Sequence, residues 1–317
     1  MRELVIVSGK GGTGKTSVVA SFAALAGTEA TEGAGAVFAD CDVDAADLHL
    51  VLAPEIKHRE EFRAGCAAEI RESDCVGCGK CAELCRFDAI ERSETEDGRS
   101  VFSVDEIGCE GCGVCVRFCP AGAIDFPEKV SGEWFISATR YGPMVHAKLG
   151  IAEENSGKLV SKIRKEARDI AQKEGRGLVI VDGSPGIGCP VIASVTGADI
   201  ALLVAEPTVS GLHDLERVAD LCSQLRVRAT VCVNKADINP DMAAKIEDAA
   251  RARGMEFLGR VPYDEDVTRA QIEGKSVVEA SDGPAAAALR DLWAMVGQMP
   301  ADVDKQEGRS RGGKGSA

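Results

Sequence analysis

Aromatic residues are scarce in this 317-residue chain, at 4% of the sequence with two Trp and two Tyr. An aromatic-rich binding surface is therefore not expected, whereas the abundant Ala, Gly and Val suit close packing of helices on a sheet. Basic residues are in deficit too, with 37 Lys and Arg against 51 Asp and Glu and a formal net charge of −14. That balance argues against nucleic acid as a partner, because binding a phosphate backbone needs a basic footprint. Long apolar runs are missing as well: Gly, Pro and Asp break every candidate short of the roughly 20 residues that span a bilayer. No membrane insertion is expected. The opening "MRELVIVSG" carries an early acid and runs straight into glycines, as a first buried strand would and a secretory signal would not. A cytoplasmic location is expected, and there thirteen cysteines read better as metal ligands than as disulfides.

What is present is unevenly distributed. Residues 67–128 hold 14 acids and 6 bases, whereas residues 305–317 hold four bases and one acid among Gly and Ser. That basic tail, 301–317, is expected to be disordered. Glu3 to Ser8 reads as a buried strand, "TSVVASFAALA" as an apolar helix and "AVFAD" as a second strand ending at acids. Strand, loop, helix and strand in that order argue for a parallel sheet with helices on its faces. The rhythm stops between about residues 62 and 128, where short polar segments, glycines and cysteines take over. It resumes with "SGKLVSKIRKEARDIAQKEG", an amphipathic helix with a Ser N-cap and a Gly stop. The strands "GLVIVDG", "DIALLVAEP", "ATVCVNKAD" and "EFLGRVPYD" follow. We therefore expect an α/β domain over 1–61 and 130–300, interrupted by a cysteine-rich module over 62–129.

Gly9-Lys10-Gly11-Gly12-Thr13-Gly14-Lys15-Thr16 fits G-x-x-x-x-G-K-[ST], with a strand before it and a helix after it. Glycines let backbone N–H groups turn toward phosphates, Lys15 reaches the β and γ oxygens, and Thr16 offers a hydroxyl to Mg²⁺. ATP and Mg²⁺ are the ligands expected, with Gly11, Gly12, Thr13 and Gly14 forming the cradle.

Cys75-x2-Cys78-x2-Cys81-x3-Cys85 and Cys109-x2-Cys112-x2-Cys115-x3-Cys119-Pro120 are the bacterial ferredoxin spacing written twice. In that pattern the fourth cysteine of each run serves the other cluster. Cys75, Cys78, Cys81 and Cys119 are thus assigned to one [4Fe–4S] cluster, and Cys109, Cys112, Cys115 and Cys85 to a second. Zinc is the competing reading of paired C-x2-C, but the x3-Cys tails and the "CP" favour iron–sulfur. Arg86 stands where proline often follows the first run. Cys222 and Cys232 fit core positions, while Cys189 fits a structural or redox-sensitive thiol.

The spelling K-G-G-T-G-K-T resembles the deviant Walker A loop of the MinD/Mrp/nitrogenase iron protein class of ATPases. The resemblance implies that Lys10 reaches across an ATP-bound homodimer to the partner subunit's nucleotide, stabilising charge in the transition state. "ADCDVDAADL" resembles the switch I segment of that class, which implies that Asp42 orients the attacking water and Asp40 lies toward Mg²⁺. "LVIVDGSPGIG" resembles Walker B and switch II, implying a magnesium role for Asp182. By the same resemblance Asn234, Pro262 and Tyr263 fall where the class binds adenine.

The whole arrangement is similar to MinD-superfamily P-loop ATPases containing an inserted ferredoxin domain. The fold this implies is an α/β P-loop NTPase with a mostly parallel, SIMIBI/MinD-like sheet carrying an α+β 2[4Fe–4S] module. Nothing after Val303 is apolar except the terminal alanine, unlike the membrane helix of division-site MinD, and the C-x-x-C of Mrp-type carriers near the C-terminus is missing. The function implied couples ATP hydrolysis by a homodimer to electron transfer through two clusters to an unidentified partner protein. The alternative is an ATP-dependent carrier or assembly factor for iron–sulfur or other metal clusters.

Overall fold

The computed structural model describes residues 1–29, 35–95, 98–150, 153 and 156–299; the basic tail lies outside the described residues. Strand β1 (Arg2–Val7) leads through the glycine loop into α1 (Lys15–Glu29), and β2 (Ala36–Asp40) ends on the acids of a short 3₁₀ turn, Val43–Ala45. Then come α2 (Leu48–Leu52), β3 (Glu55–Cys66), β4 (Glu69–Ile70), α3 (Lys80–Leu84), β5 (Ile90–Glu94), β6 (Ser100–Val104), α4 (Val114–Phe118) and β7 (Ile124–Asp125). β8 (Glu128–Thr139) and β9 (Gly142–Leu149) are joined by a two-residue turn, and α5 (Gly157–Lys173) follows. The chain closes with β10 (Leu178–Asp182), α6 (Cys189–Val195), β11 (Ile200–Ala205), α7 (Val209–Gln224), β12 (Arg228–Asn234), α8 (Pro240–Ala252), β13 (Glu256–Val261), α9 (Glu265–Ile272), α10 (Val277–Ala280) and α11 (Pro284–Gln298).

Two compact units divide these residues. Among the described residues, the first takes in those of 1–59, 134–148 and 156–299, and the second those of 60–133, 149–150 and 153. The main sheet has the strand order β13-β12-β11-β1-β10-β2-β9-β8-β3. From β13 to β9 every neighbouring pair is parallel. β1, β2 and β11 are almost wholly buried, as continuous apolar strands covered on both faces must be. Phe22 of α1 and Phe38 of β2 are fully buried with Leu4, Ile180 and Leu202 in one core. Three sheet members, β3, β8 and β9, answer to none of the strands expected from the sequence.

Buried charge fixes the far end of β1. Glu3, fully buried, accepts from Arg164 Nε at 2.9 Å and Arg168 Nε at 2.8 Å, and its own N–H donates to Asp199. Arg164 also donates to the carbonyls of Ala193 and Thr196, so it caps α6, the helix that follows the "DGSPGIG" loop. Ser156 caps α5 by accepting from the Leu159 N–H.

The second unit is built as two similar halves. β4 pairs antiparallel with β7, and β5 with β6, while α3 packs on α4. Gly79 and Gly113 precede those helices with φ of +74° and +70°, and Cys85 and Cys119 end them with almost identical backbone angles. No helix among the described residues is long and apolar enough to cross a membrane.

Candidate functional site

A cavity of about 400 Å³ opens at the C-terminal ends of the parallel strands, where open α/β sheets hold their ligands. Its lining includes Gly11, Gly12, Thr13, Gly14, Lys15 and Thr16 on one side, Asp42 beside them, and Asn234, Pro262 and Tyr263 on the other. Gly12 and Gly14 adopt φ of +78° and +86°, a region only glycine enters freely. The loop also presses on α7: a Cβ on Gly9 would lie 2.2 Å from the Cβ of Asp214.

Lys15 is 4% exposed and sits among carboxylates. Its Nζ donates to Asp42 Oδ2 at 3.0 Å and, more closely, to Asp182 Oδ1. Burial alone would lower the amine, yet Asp182 and then Asp42 more than offset it, so the ammonium is held above its ordinary value. Asp40 accepts from the Asp42 N–H at 3.2 Å. Burial first, and then the charge of Asp182, push its carboxyl well above the usual range. Burial also raises Asp42, against the pull of Lys15.

Three buried oxygens here have no hydrogen-bond partner among the described residues: Asp40 Oδ2, Asp42 Oδ1 and Thr13 Oγ1. Carboxylate oxygens left without a partner beside the phosphate loop fit Mg²⁺, which takes one or two carboxylates together with phosphate oxygens and water rather than a cage of protein ligands. Asp40, Asp42 and Asp182 are thus brought together around Lys15, and Thr16 follows directly at the start of α1.

Two of the expected residues have polar partners within the chain. The Asn234 amide is engaged by the loop itself: Nδ2 donates to the Thr13 carbonyl at 2.8 Å and Oδ1 accepts from the Lys235 N–H at 3.0 Å. Lys10 faces its own subunit, 3.1 Å from Glu206 Oε2. Glu206 and Lys235 escaped the sequence reading altogether. The available signals were an acid directly after an apolar strand, in "VAEP", and a lysine beside the chosen Asn, in "VNKAD".

In the second unit the eight cysteines of the two runs line two small cavities. One is bordered by Cys75, Cys78, Cys81 and Cys119 with Ile70, Phe102 and Ile124; the other by Cys109, Cys112, Cys115 and Cys85 with Phe87, Ile90 and Phe126. Each cavity therefore takes three thiols from one run and the fourth from the other. The loops close through glycine: Gly77 and Gly111 have φ of +68° and +61°, and a Cβ on them would meet the Ser100 and Cys66 carbonyls at 2.6 and 2.3 Å. The Ala123 N–H points at Cys119 Sγ at 3.4 Å. Among the described residues no group of three His, Cys, Asp or Glu gathers tightly enough to hold a single metal ion. A cubane makes no such demand, since it spreads four thiolates over four irons. Cys222 and Cys232 are buried, and burial pushes both thiols up to about 12, while Cys189 is exposed.

A strand, a glycine loop and a helix, with a buried lysine between strand-end carboxylates, define a P-loop nucleotide-binding domain. The chain matches the CobQ/CobB/MinD/ParA nucleotide binding domain over residues 4–277 and belongs to that family. It is 36% identical over 237 residues to an uncharacterized protein of Methanocaldococcus jannaschii, across 75% of this chain and 79% of that one. A shorter similarity, 27% over 150 residues, is to the iron-sulfur cluster carrier protein of Pyrococcus horikoshii, and spans 43% of this chain and 50% of the carrier. Among solved structures the septum site-determining protein MinD of Pyrococcus horikoshii, complexed with Mg-ADP, has the same fold: the TM-score is 0.56 at 17% identity, covering 94% of this chain and 96% of that one.

Proposed function

We propose that this chain is an ATPase in which a nucleotide-driven homodimer switch is coupled to electron transfer, through two [4Fe–4S] clusters, to a partner protein. The observation that carries the reading is the three-plus-one sharing of thiols between two cavities in a chain that also holds a P-loop site. In the nucleotide site, the N–H groups of Gly11 to Gly14 and the Lys15 ammonium hold the phosphates. Thr16, Asp40 and Asp182 would hold Mg²⁺, a cation that takes oxygen ligands and is bound together with nucleotide phosphates. Asp42 orients the water that attacks the γ-phosphorus, so that the bond to the β-phosphate oxygen breaks and ADP and phosphate leave. Pro262, Tyr263 and the Asn234 segment flank the adenine, and Lys10 reaches the nucleotide of the second subunit.

Cys75, Cys78, Cys81 and Cys119 would hold one cluster and Cys109, Cys112, Cys115 and Cys85 the other; bound there, the clusters supply one-electron oxidation and reduction. The chain surrounds each set with apolar side chains and hydrogen-bonds Cys119 from Ala123. The acid excess over residues 67–128 suits a partner with a basic face.

The similarity to a cluster carrier favours a second reading, in which the clusters are cargo. Four thiols of one chain at each cavity speak for retention instead, because a delivery site leaves ligands labile or shared between subunits. Anaerobic reconstitution tests the proposal: the parent should take up about eight irons and eight sulfides per chain. Cys85→Ser and Cys119→Ser should each disturb a different cluster, by iron content and EPR. Tight binding of two zinc ions with no cluster would sink it.

A further inference from the structure

The P-loop lysine that the proposed switch sends across the dimer is already held within its own chain. Lys10 Nζ lies 3.1 Å from Glu206 Oε2 and 3.5 Å from Ser210 Oγ at the start of α7. Glu206 stands directly after β11, next to β1 in the sheet, with its side chain 15% exposed. Its other oxygen accepts from Lys235 Nζ at 2.6 Å, and Lys235 donates again to the Gly12 carbonyl at 3.1 Å. One carboxylate thus serves two ammoniums. The two lysines are about equally exposed, but Lys235 stands closer to Glu206 and donates again to a loop carbonyl, whereas Lys10 stands farther from Glu206 and 3.5 Å from its second partner, Ser210. Burial would raise the Glu206 carboxyl, but Lys235 and Lys10 together hold it below its ordinary value, as an anion.

We infer that Glu206 is a positioning residue that parks Lys10 in its own subunit until two nucleotide-loaded chains meet. The inference rests on the trans role proposed for Lys10. The asymmetry between the two lysines makes the hold releasable. When Lys10 leaves for the partner's phosphates, Glu206 keeps Lys235, so no half-buried carboxylate is stranded without a counter-charge, the event that makes breaking a buried pair expensive. The contact that breaks is the longer one, from a lysine one-third open to solvent, of the kind that contributes little to stability. Without Glu206, Lys10 would sit beside Lys235 with nothing between them, and like-charge repulsion would push it outward.

The test is the concentration at which the full-length, cluster-loaded chain half-associates in MgATP, read by sedimentation velocity. It is compared for the parent, Glu206→Gln, Lys10→Ala and the double variant, with fluorescent-ATP binding measured on dilute monomer. Glu206→Gln should lower the half-association concentration about 3- to 10-fold, two weak pairs being released per dimer, and this gain should vanish in the Lys10→Ala background. Lys235→Met should act in the opposite sense, because Lys10 then becomes the sole partner of Glu206 and is held harder. If Glu206→Gln only weakens nucleotide binding, or associates at the parental concentration while Lys10→Ala is impaired, the parking role fails and the trans role stands. If Lys10→Ala itself associates and hydrolyses like the parent, both fall.

Discussion

Replacing Asp40 by Asn should stabilise the nucleotide-free chain and at the same time blunt its response to Mg²⁺. Asp40 is 1% exposed, receives one backbone N–H, and leaves Oδ2 unpartnered. Burial and the neighbouring Asp182 raise its carboxyl well above the ordinary value of 3.8, so protonation is favoured more in the folded chain than in the unfolded one. That contribution is fully present below the unfolded value and is lost as pH rises toward the folded one, because the unfolded chain ionises first. Asn is isosteric, carries no charge to desolvate and offers an N–H₂ to the carboxylates beside it. The expected gain is on the order of 1–2 kcal/mol, the size of one buried unsatisfied polar group, or about 2–6 °C in Tm for a domain of this size. Melting curves between about pH 4 and pH 8 should show the parent losing stability with rising pH and the variant losing less. Adding Mg²⁺ to the ADP-bound parent should raise Tm further, and Asp40→Asn should lose most of that increment while keeping the part due to ADP alone. A variant less stable than the parent at neutral pH, or one with the full Mg²⁺ increment, would refute the argument.

Three further changes follow from the same geometry. Arg164→Leu removes a charged partner of the fully buried Glu3 and two hydrogen bonds to the end of α6; urea unfolding should show a loss of about 3–5 kcal/mol. Gly14→Ala combines a strained φ of +86° with a Cβ 2.2 Å from Asn234 Nδ2, and ATP affinity by titration calorimetry should fall about tenfold or more, a left-handed residue costing roughly 1–2 kcal/mol. Gly77→Ala places a Cβ 2.6 Å from the Ser100 carbonyl, and reconstituted iron should drop from about eight to about four per chain.

The central strands were legible because parallel strands covered on both faces are continuous apolar runs, and "LVIVD" and "IALLVA" are such runs. β3 was not. "EIKHREEFRAGC" is charged at half its positions and exposed along most of its length, as suits the edge position it holds. β8 buries its residues in an irregular order, Ser131 and Gly132, then Trp134 and Phe135, then Ser137, that no period of two would pick out. In the nucleotide site the loop and the three acids are local patterns at strand ends, readable from sequence. The hold of Glu206 on Lys10 is not, because 196 residues separate the two and only the placing of β11 beside β1 brings them together. The engagement of Asn234 by Thr13 is hidden for the same reason. Among the cysteines, which thiols share a cavity depends on α3 packing against α4, a tertiary contact that spacing carries only through the family it resembles.

An anaerobic redox titration followed by EPR, with and without MgATP, tests the central claim most directly. Coupling between the nucleotide switch and the clusters predicts a potential shift of about 60 mV for a one-electron cluster, equivalent to a tenfold change in equilibrium, and predicts that Lys15→Ala abolishes it. Identical potentials in both states, with MgATP instead speeding the loss of iron to a chelator, would contradict electron transfer and make the clusters cargo.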